Sequence, residues 1–317
     1  MTSTEEKGGR MSLSNIKRGR IDRPIRVLMY GPEGIGKSTF GAGAPEAVFI
    51  GSEDGTAQLD VARFPSPERW EDIHLAVDEL RNGEHEFKTA VFDTLDWMEP
   101  ICWDFVCRSA GKPDIESFGY GKGYVAAVDT WRSFLVELDR LRNDRSMNIV
   151  LLAHSHIRKF QNPEGEDFDR YTLKLHEKSA GLLKEWVDDI LFANFEILSA
   201  ESKGRVRGVS TGVRRIHTER AAAFDAKNRH NLPVELPLDW EEYFAAVKAG
   251  GEAAALREGS VRELMEAAPP ALKKKSENLI KRAAGDPRKL AQLEEWLKNK
   301  LDDLPKEQAP EPEAVAS

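Results

Sequence analysis

Only two cysteines, Cys102 and Cys107, occur in the 317 residues. Their spacing fits neither a C-x-x-C redox pair nor a zinc-binding set. A disulfide framework is excluded, and both read as core thiols in a reducing compartment. No apolar run is long enough to span a bilayer, and the N-terminus lacks the apolar core of a signal peptide. The expectation is a cytoplasmic protein with no membrane partner. An excess of positive charge is also missing, since the formal net charge is −8. That excludes a surface coated in basic patches but leaves room for a local positive stripe. What is present is a 40% hydrophobic fraction, enough for a real core. The length allows one large or two smaller domains.

The chain divides by composition. Residues 1–23 are polar and rich in Lys, Arg, Gly and Ser, and read as a disordered basic arm. Residues 24–248 read as an α/β core, 249–304 as a helical module broken at Pro269-Pro270 and Gly285-Asp286-Pro287, and 305–317 as an acidic disordered tail. Within the core, apolar runs at 27–30, 47–50, 89–92 and 148–153 read as buried strands. Segments 67–82, 97–110, 125–142 and 179–187 read as helices, and 189–195 and 205–218 as later strands. Residues 111–124 form a glycine- and aromatic-rich loop, and 160–176 read as polar and loop-like. Alternating strands and helices imply a mainly parallel sheet flanked on both faces by helices. Ligands of such sheets bind at the carboxyl ends of the strands.

The first strand runs into Gly31-Pro32-Glu33-Gly34-Ile35-Gly36-Lys37-Ser38-Thr39, which fits G-x-x-x-x-G-K-[ST] at every fixed position. Its glycines let the backbone curl so that several N–H groups converge on one anion. Lys37 is placed for the β- and γ-phosphates, and Ser38 for Mg²⁺. A bound nucleoside triphosphate is the expectation. The absence of an N-K-x-D guanine motif leans toward ATP.

Other residues extend this site. Asp93 ends an apolar strand, where an acid can hold Mg²⁺ opposite the loop hydroxyl. Glu53 ends the strand after the phosphate-loop helix, where a carboxylate can polarise the attacking water, with Asp54 as its rival. His154 and His156 follow the fourth strand, and one of them can report the γ-phosphate to the next loop. Two loops suit single-stranded nucleic acid, because rings stack on bases and cations track the backbone. The first carries Phe118, Tyr120, Lys122 and Tyr124; the second carries Arg158, Lys159, Arg170, Tyr171, Lys174 and Lys178. The clusters Arg214-Arg215 and Lys227-Asn228-Arg229 suit phosphate contact across a subunit boundary. Lys273-Lys274-Lys275 reads as a solvated helix face.

In their order, GPEGIGKST, VFIGSEDG, TAVFDTLD, GYGKGY, LLAHSHIRKF, DRYTLKLHEKSAGLLKEWVDDILF and TERAAAFDAKNR resemble a RecA-type recombination ATPase core. The pattern is similar to the small RecA-like ATPases of phage recombination modules that assist single-strand annealing. The resemblance covers about residues 22–247. It implies a RecA-like P-loop NTPase fold, ATP and Mg²⁺ as cofactors, and DNA-stimulated ATP hydrolysis in a bacterial or phage-infected cell. It places the catalytic glutamate at Glu53, the metal-binding acid at Asp93 and the γ-phosphate sensor at His156, where that family usually has Gln. The K-N-R at 227–229 is similar to that of RadA-type ATPases and implies that Lys227 and Arg229 act in trans. The implied partners are single-stranded DNA, further copies of the chain in a ring or filament, and a single-strand-binding or annealing protein. A nucleotide-dependent loader and a small-molecule P-loop kinase are the alternatives.

Overall fold

The computed structural model describes residues 16, 21, 23–51, 56–202, 205–266, 268–283 and 287–302, with side chains described for fewer positions after 196. Arg23–Gly250 forms one compact unit, and residues from Gly251 on belong to another.

Strand β1 (Arg26–Gly31) leads through the glycine loop into a short helix α1 (Lys37–Ala42). There follow β2 (Ala47–Ile50), β3 (Ala62–Arg63), α2 (Trp70–Asn82), β4 (Thr89–Asp93), α3 (Leu95–Ser109), α4 (Lys122–Asp144) and β5 (Asn148–Phe160). The unit continues with β6 (Phe168–Leu173), α5 (Glu177–Trp186), β7 (Asp189–Ser202), β8 (Arg205–His217), β9 (Lys227–Asn228) and β10 (Glu235–Pro237). Helix α6 (Trp240–Glu266) is followed by α7 (Pro270–Ala283) and α8 (Pro287–Asp302). No described helix is long and apolar enough to cross a membrane.

The sheet order is β10-β8-β7-β1-β5-β4-β2-β3. The strands from β7 to β3 pair in parallel, and β8, β9 and β10 are added antiparallel. β5 lies between the strand that starts the phosphate loop and the strand that ends in Asp93. The expected α/β class, with a mainly parallel sheet flanked by helices, therefore holds.

Period-two alternation sorts the apolar side chains onto two faces. Leu28, Tyr30, Ile50, Phe92 and Leu151 point to one face, into a cluster with Trp70, Trp131 and Phe134 from α2 and α4. Val27, Met29, Phe49, Val91 and Leu152 point to the other, against Phe40 of α1 and Trp240 and Tyr243. A sheet covered on both faces needs such continuous apolar runs, which is why four short runs were readable as strands. Helix α4 buries Trp131, Phe134, Leu135, Leu138 and Leu141 at three- and four-residue spacing. At the start of α2, Asp72 accepts hydrogen bonds from the backbone N–H groups of Glu68 and Arg69. A separate small apolar cluster joins Val261, Ile280, Leu290 and Leu297.

The loop expected over 160–176 is instead a hairpin. β5 runs on past the sheet to Phe160 and pairs antiparallel with β6, with Phe160 opposite Phe168. Those rings lie 5.2 Å apart. The strand was hidden because two adjacent charged residues, Asp169 and Arg170, break its apolar pattern, and Arg170 is buried.

Candidate nucleotide site

Each glycine of the loop has its own reason. A Cβ at Gly31 would lie 2.3 Å from the carbonyl oxygen of Ala193 on β7, so only glycine lets β1 turn there. Gly34 and Gly36 have φ of 71° and 110°, in the left-handed region. Ile35 between them is fully buried and pins the loop to the core. Lys37 is buried, and its Nζ donates to the carbonyls of Pro32 (3.0 Å) and Gly31 (3.4 Å). Thr39, Pro32 and Glu33 stay at the surface.

Ser38 Oγ donates to Asp93 Oδ2 at 2.6 Å, joining the start of α1 to the end of β4. Asp93 is buried, and Gly51 at the end of β2 lies against it: a Cβ there would be 2.1 Å from the Asp93 carbonyl oxygen. A cavity of about 370 Å³ opens beside Asp93, lined by Gly51, Thr56, Arg63 and Ser66 among others. Glu53 and its rival Asp54 lie outside the described residues. Among the described residues no group of three His, Cys, Asp or Glu could hold a metal ion. Magnesium suits the Ser38–Asp93 pair nonetheless. It takes hard oxygen ligands and is commonly held by one or two protein groups plus phosphate and water.

Asp96, on the first turn of α3, grips His154 twice. Its carboxylate accepts the backbone N–H and faces Nδ1, both at 2.9 Å. Burial pushes the Asp96 carboxyl up, but the hydrogen bonds and charge of His154 outweigh it and leave it below its usual range. Sequence reasoning missed this pair. Its only signal was the second acid of Asp93-Thr94-Leu95-Asp96, one helical turn after the first. His154 sits level with Gly31 in the β1–β5 register.

A family model for the AAA domain (AAA_24) matches residues 23–230. The chain belongs to the AAA domain family. No curated protein matches it. Among solved structures, a crystal structure of the RadB recombinase matches with a TM-score of 0.38 and 14% identity, over 62% of this chain and 82% of that one.

Around the AAA domain's phosphate loop, the other residues singled out in the sequence take varied positions. His156 is half-buried, and its Nε2 has no hydrogen-bond partner among the described residues. Burial, with the nearby Arg158 and Lys174 cations, lowers its pKa. In the glycine-rich loop Gly119, Tyr120 and Gly121 all have φ between 51° and 70°, and this turn leaves the Tyr120 ring fully exposed. Lys122 is exposed too. Phe118 packs instead against the core, and Tyr124 stacks face to face on His176, with centroids 4.0 Å apart. Tyr124 also donates its hydroxyl to Glu116.

Arg158, Lys159, Lys174 and Lys178 are exposed, although Lys159 lies 3.7 Å from Asp167. Arg170 and Tyr171 do not join them. The Arg170 guanidinium is buried and donates to Asp225 (2.6 Å) and to the Phe224 carbonyl (3.1 Å). Tyr171 packs its ring 5.1 Å from that of Phe192. The expectation that these two face a ligand is corrected: a buried cation is held by its carboxylate, and the ring fills core space.

Lys227 is corrected as well. Its Nζ donates to the carbonyls of Lys184 (2.9 Å), Glu185 (3.0 Å) and Val187 (2.5 Å), at the C-terminal end of α5. An ammonium has three protons, and all are used within the chain, where the last carbonyls of a helix need donors. Arg229 is half-exposed and only loosely paired with Asp188, at 3.5 Å. Arg229, unlike Lys227, therefore keeps donors to spare.

Glu99 lies beneath these loops, buried, accepting the N–H of His176 at 2.9 Å, with its other oxygen unpartnered among the described residues. Burial raises its pKa. The native state thus holds this proton more tightly than the unfolded chain. The associated stability is present below the ordinary carboxylate range and is lost as pH rises through the raised native value. Glu99→Gln is therefore expected to gain stability relative to wild type as pH increases from about 5 to 8, read from urea midpoints. Parallel pH curves for the two proteins would contradict this.

Proposed function

We propose that this AAA domain protein binds and hydrolyses ATP and acts on single-stranded DNA in recombination or repair, in a ring or filament whose ATP sites are shared between subunits. The observation that carries the nucleotide part is the Ser38–Asp93 hydroxyl–carboxylate pair at 2.6 Å beside the buried Lys37. In this reading the backbone from Gly31 to Thr39 cradles the phosphates, and Lys37 moves from its carbonyl partners onto the β- and γ-phosphate oxygens. Ser38 and Asp93 hold Mg²⁺, which neutralises phosphate charge when bound. Glu53 polarises the attacking water, and Arg229 offers its cation to a neighbouring subunit's site. His156, whose unpartnered nitrogen stands one residue beyond Ser155 on the same strand as His154, senses the γ-phosphate.

The DNA part is supported by what the surface exposes. Tyr120 offers a ring for base stacking, and Lys122, Arg158, Lys159, Lys174 and Lys178 offer cations for the backbone. The test is phosphate release from ATP with and without single-stranded DNA. Stimulation by DNA is expected. Tyr120→Ala is expected to lose most of that stimulation while keeping the DNA-free rate, because one base–aromatic stack contributes about 1–3 kcal/mol. Hydrolysis raised by a small acceptor would instead mark a kinase. Hydrolysis indifferent to both would mark a loader or scaffold.

A further inference from the structure

Arg214 stands on β8, across the phosphate-loop strand from Asp93, because the sheet runs β8-β7-β1-β5-β4. A Cβ placed on Gly36 would lie 3.0 Å from Arg214 Nη1 and 3.1 Å from Leu238 Cδ2. A guanidinium and an apolar side chain of the same chain thus converge on the last glycine of the loop. Arg214 is exposed, and among the described residues no carboxylate pairs with it. Its neighbours differ. Arg215 lies 3.6 Å from Glu196, Arg220 lies 3.4 Å from Asp225, and Arg229 lies 3.5 Å from Asp188. Arg214 alone of these four brings uncompensated charge to a turn that already gathers backbone N–H groups. Two positive features side by side, with no acid between them, favour an anion.

The position of Ser38 and Asp93 says which part of a nucleotide that anion is. The metal and the terminal phosphates belong on the β4 flank, so the rest of the molecule extends over Gly36 toward the β8 flank. We propose that Arg214 and Leu238 form the nucleoside-side half of the site within the same subunit: the guanidinium pairs with the α-phosphate and the Leu238 side chain covers the sugar and base. This rests on the nucleotide reading of the loop. It also assigns Arg214 to its own subunit's site, whereas its place in a late basic cluster had suggested a neighbour's.

The test is calorimetric titration of the full chain with MgATP and MgADP, for wild type, Arg214→Gln and Arg214→Lys. Arg214→Gln is expected to weaken both nucleotides by about tenfold or more, which corresponds to about 1.4 kcal/mol. Arg214→Lys is expected to recover part of the loss, since it restores the charge without the fork. Melting temperatures without nucleotide should match wild type, as befits an exposed side chain. Unchanged affinity in Arg214→Gln overturns the proposal. So does a loss confined to ATP, which would put the arginine at the γ-phosphate. A lowered melting temperature with a binding loss that lysine does not rescue also overturns it, in favour of a structural role. If wild type binds neither nucleotide, the reading of the loop itself falls, and this proposal with it.

Discussion

Lys37→Ala is expected to lower ATP hydrolysis by about 10²–10³-fold, the range found when one preorganised group is removed from a site of developing charge. The lysine is buried in the loop, and the Arg214 guanidinium beside Gly36 is assigned to the α-phosphate, so the charge at the β- and γ-phosphates falls to Lys37. Its present carbonyl contacts at 3.0 and 3.4 Å are modest and easily exchanged for phosphate oxygens. Lys37→Arg is expected to fail nearly as badly, because the broad planar guanidinium does not fit a buried position shaped for a slender ammonium. Phosphate release measured at saturating MgATP checks both variants. Wild-type turnover in Lys37→Ala would remove the loop between Gly31 and Ser38 as the site.

The largest stability effect is expected far from that loop, at Asp189. This carboxylate at the start of β7 is fully buried. It accepts from the Tyr243 hydroxyl (2.7 Å) and the Arg229 N–H (3.0 Å), and it faces His230 Nδ1 (2.6 Å). One side chain thereby ties the sheet to the segment after β9 and to the first turns of α6. Asp189→Ala leaves the hydroxyl and the amide buried without partners, and the expected cost is roughly 3–5 kcal/mol. The cost should appear as a lower urea midpoint with little change in slope. As a control, Asp104→Ala removes an exposed i,i+4 pair with Arg108 and should cost well under 1 kcal/mol. Equal midpoints for the two variants would show that the Asp189 network does not hold the fold.

The phosphate loop was legible because its fixed positions, Gly31, Gly36, Lys37 and Ser38, fall within one short stretch, so the pattern shows without knowledge of distant partners such as the Ala193 carbonyl that requires Gly31. Asp93 was legible because an acid directly after the apolar Ala90-Val91-Phe92 is conspicuous. Partnerships made across long sequence separations left no such trace. Nothing near His154 in the chain announces that Asp96, 58 residues earlier, will hold its ring. Arg170 was placed at a surface on its charge, and Lys227 on its charge and the K-N-R resemblance. Their inward turn is decided by Asp225, 55 residues from Arg170, and by the carbonyls closing α5, 40 to 43 residues from Lys227. Charge tells where a residue can go, and only its partner tells where it goes.

Strand β5 has a mechanical consequence. Its first half is clamped between β1 and β4, and its second half stands free of the parallel sheet as one arm of a hairpin. At about 3.3 Å per residue, His154 and Arg158 are about 13 Å apart on one unbroken rod. There is no joint between them at which a displacement could be absorbed. A small tilt where Asp96 grips the rod therefore reaches the outer cations magnified, as at the end of a lever whose fulcrum is the edge of the sheet.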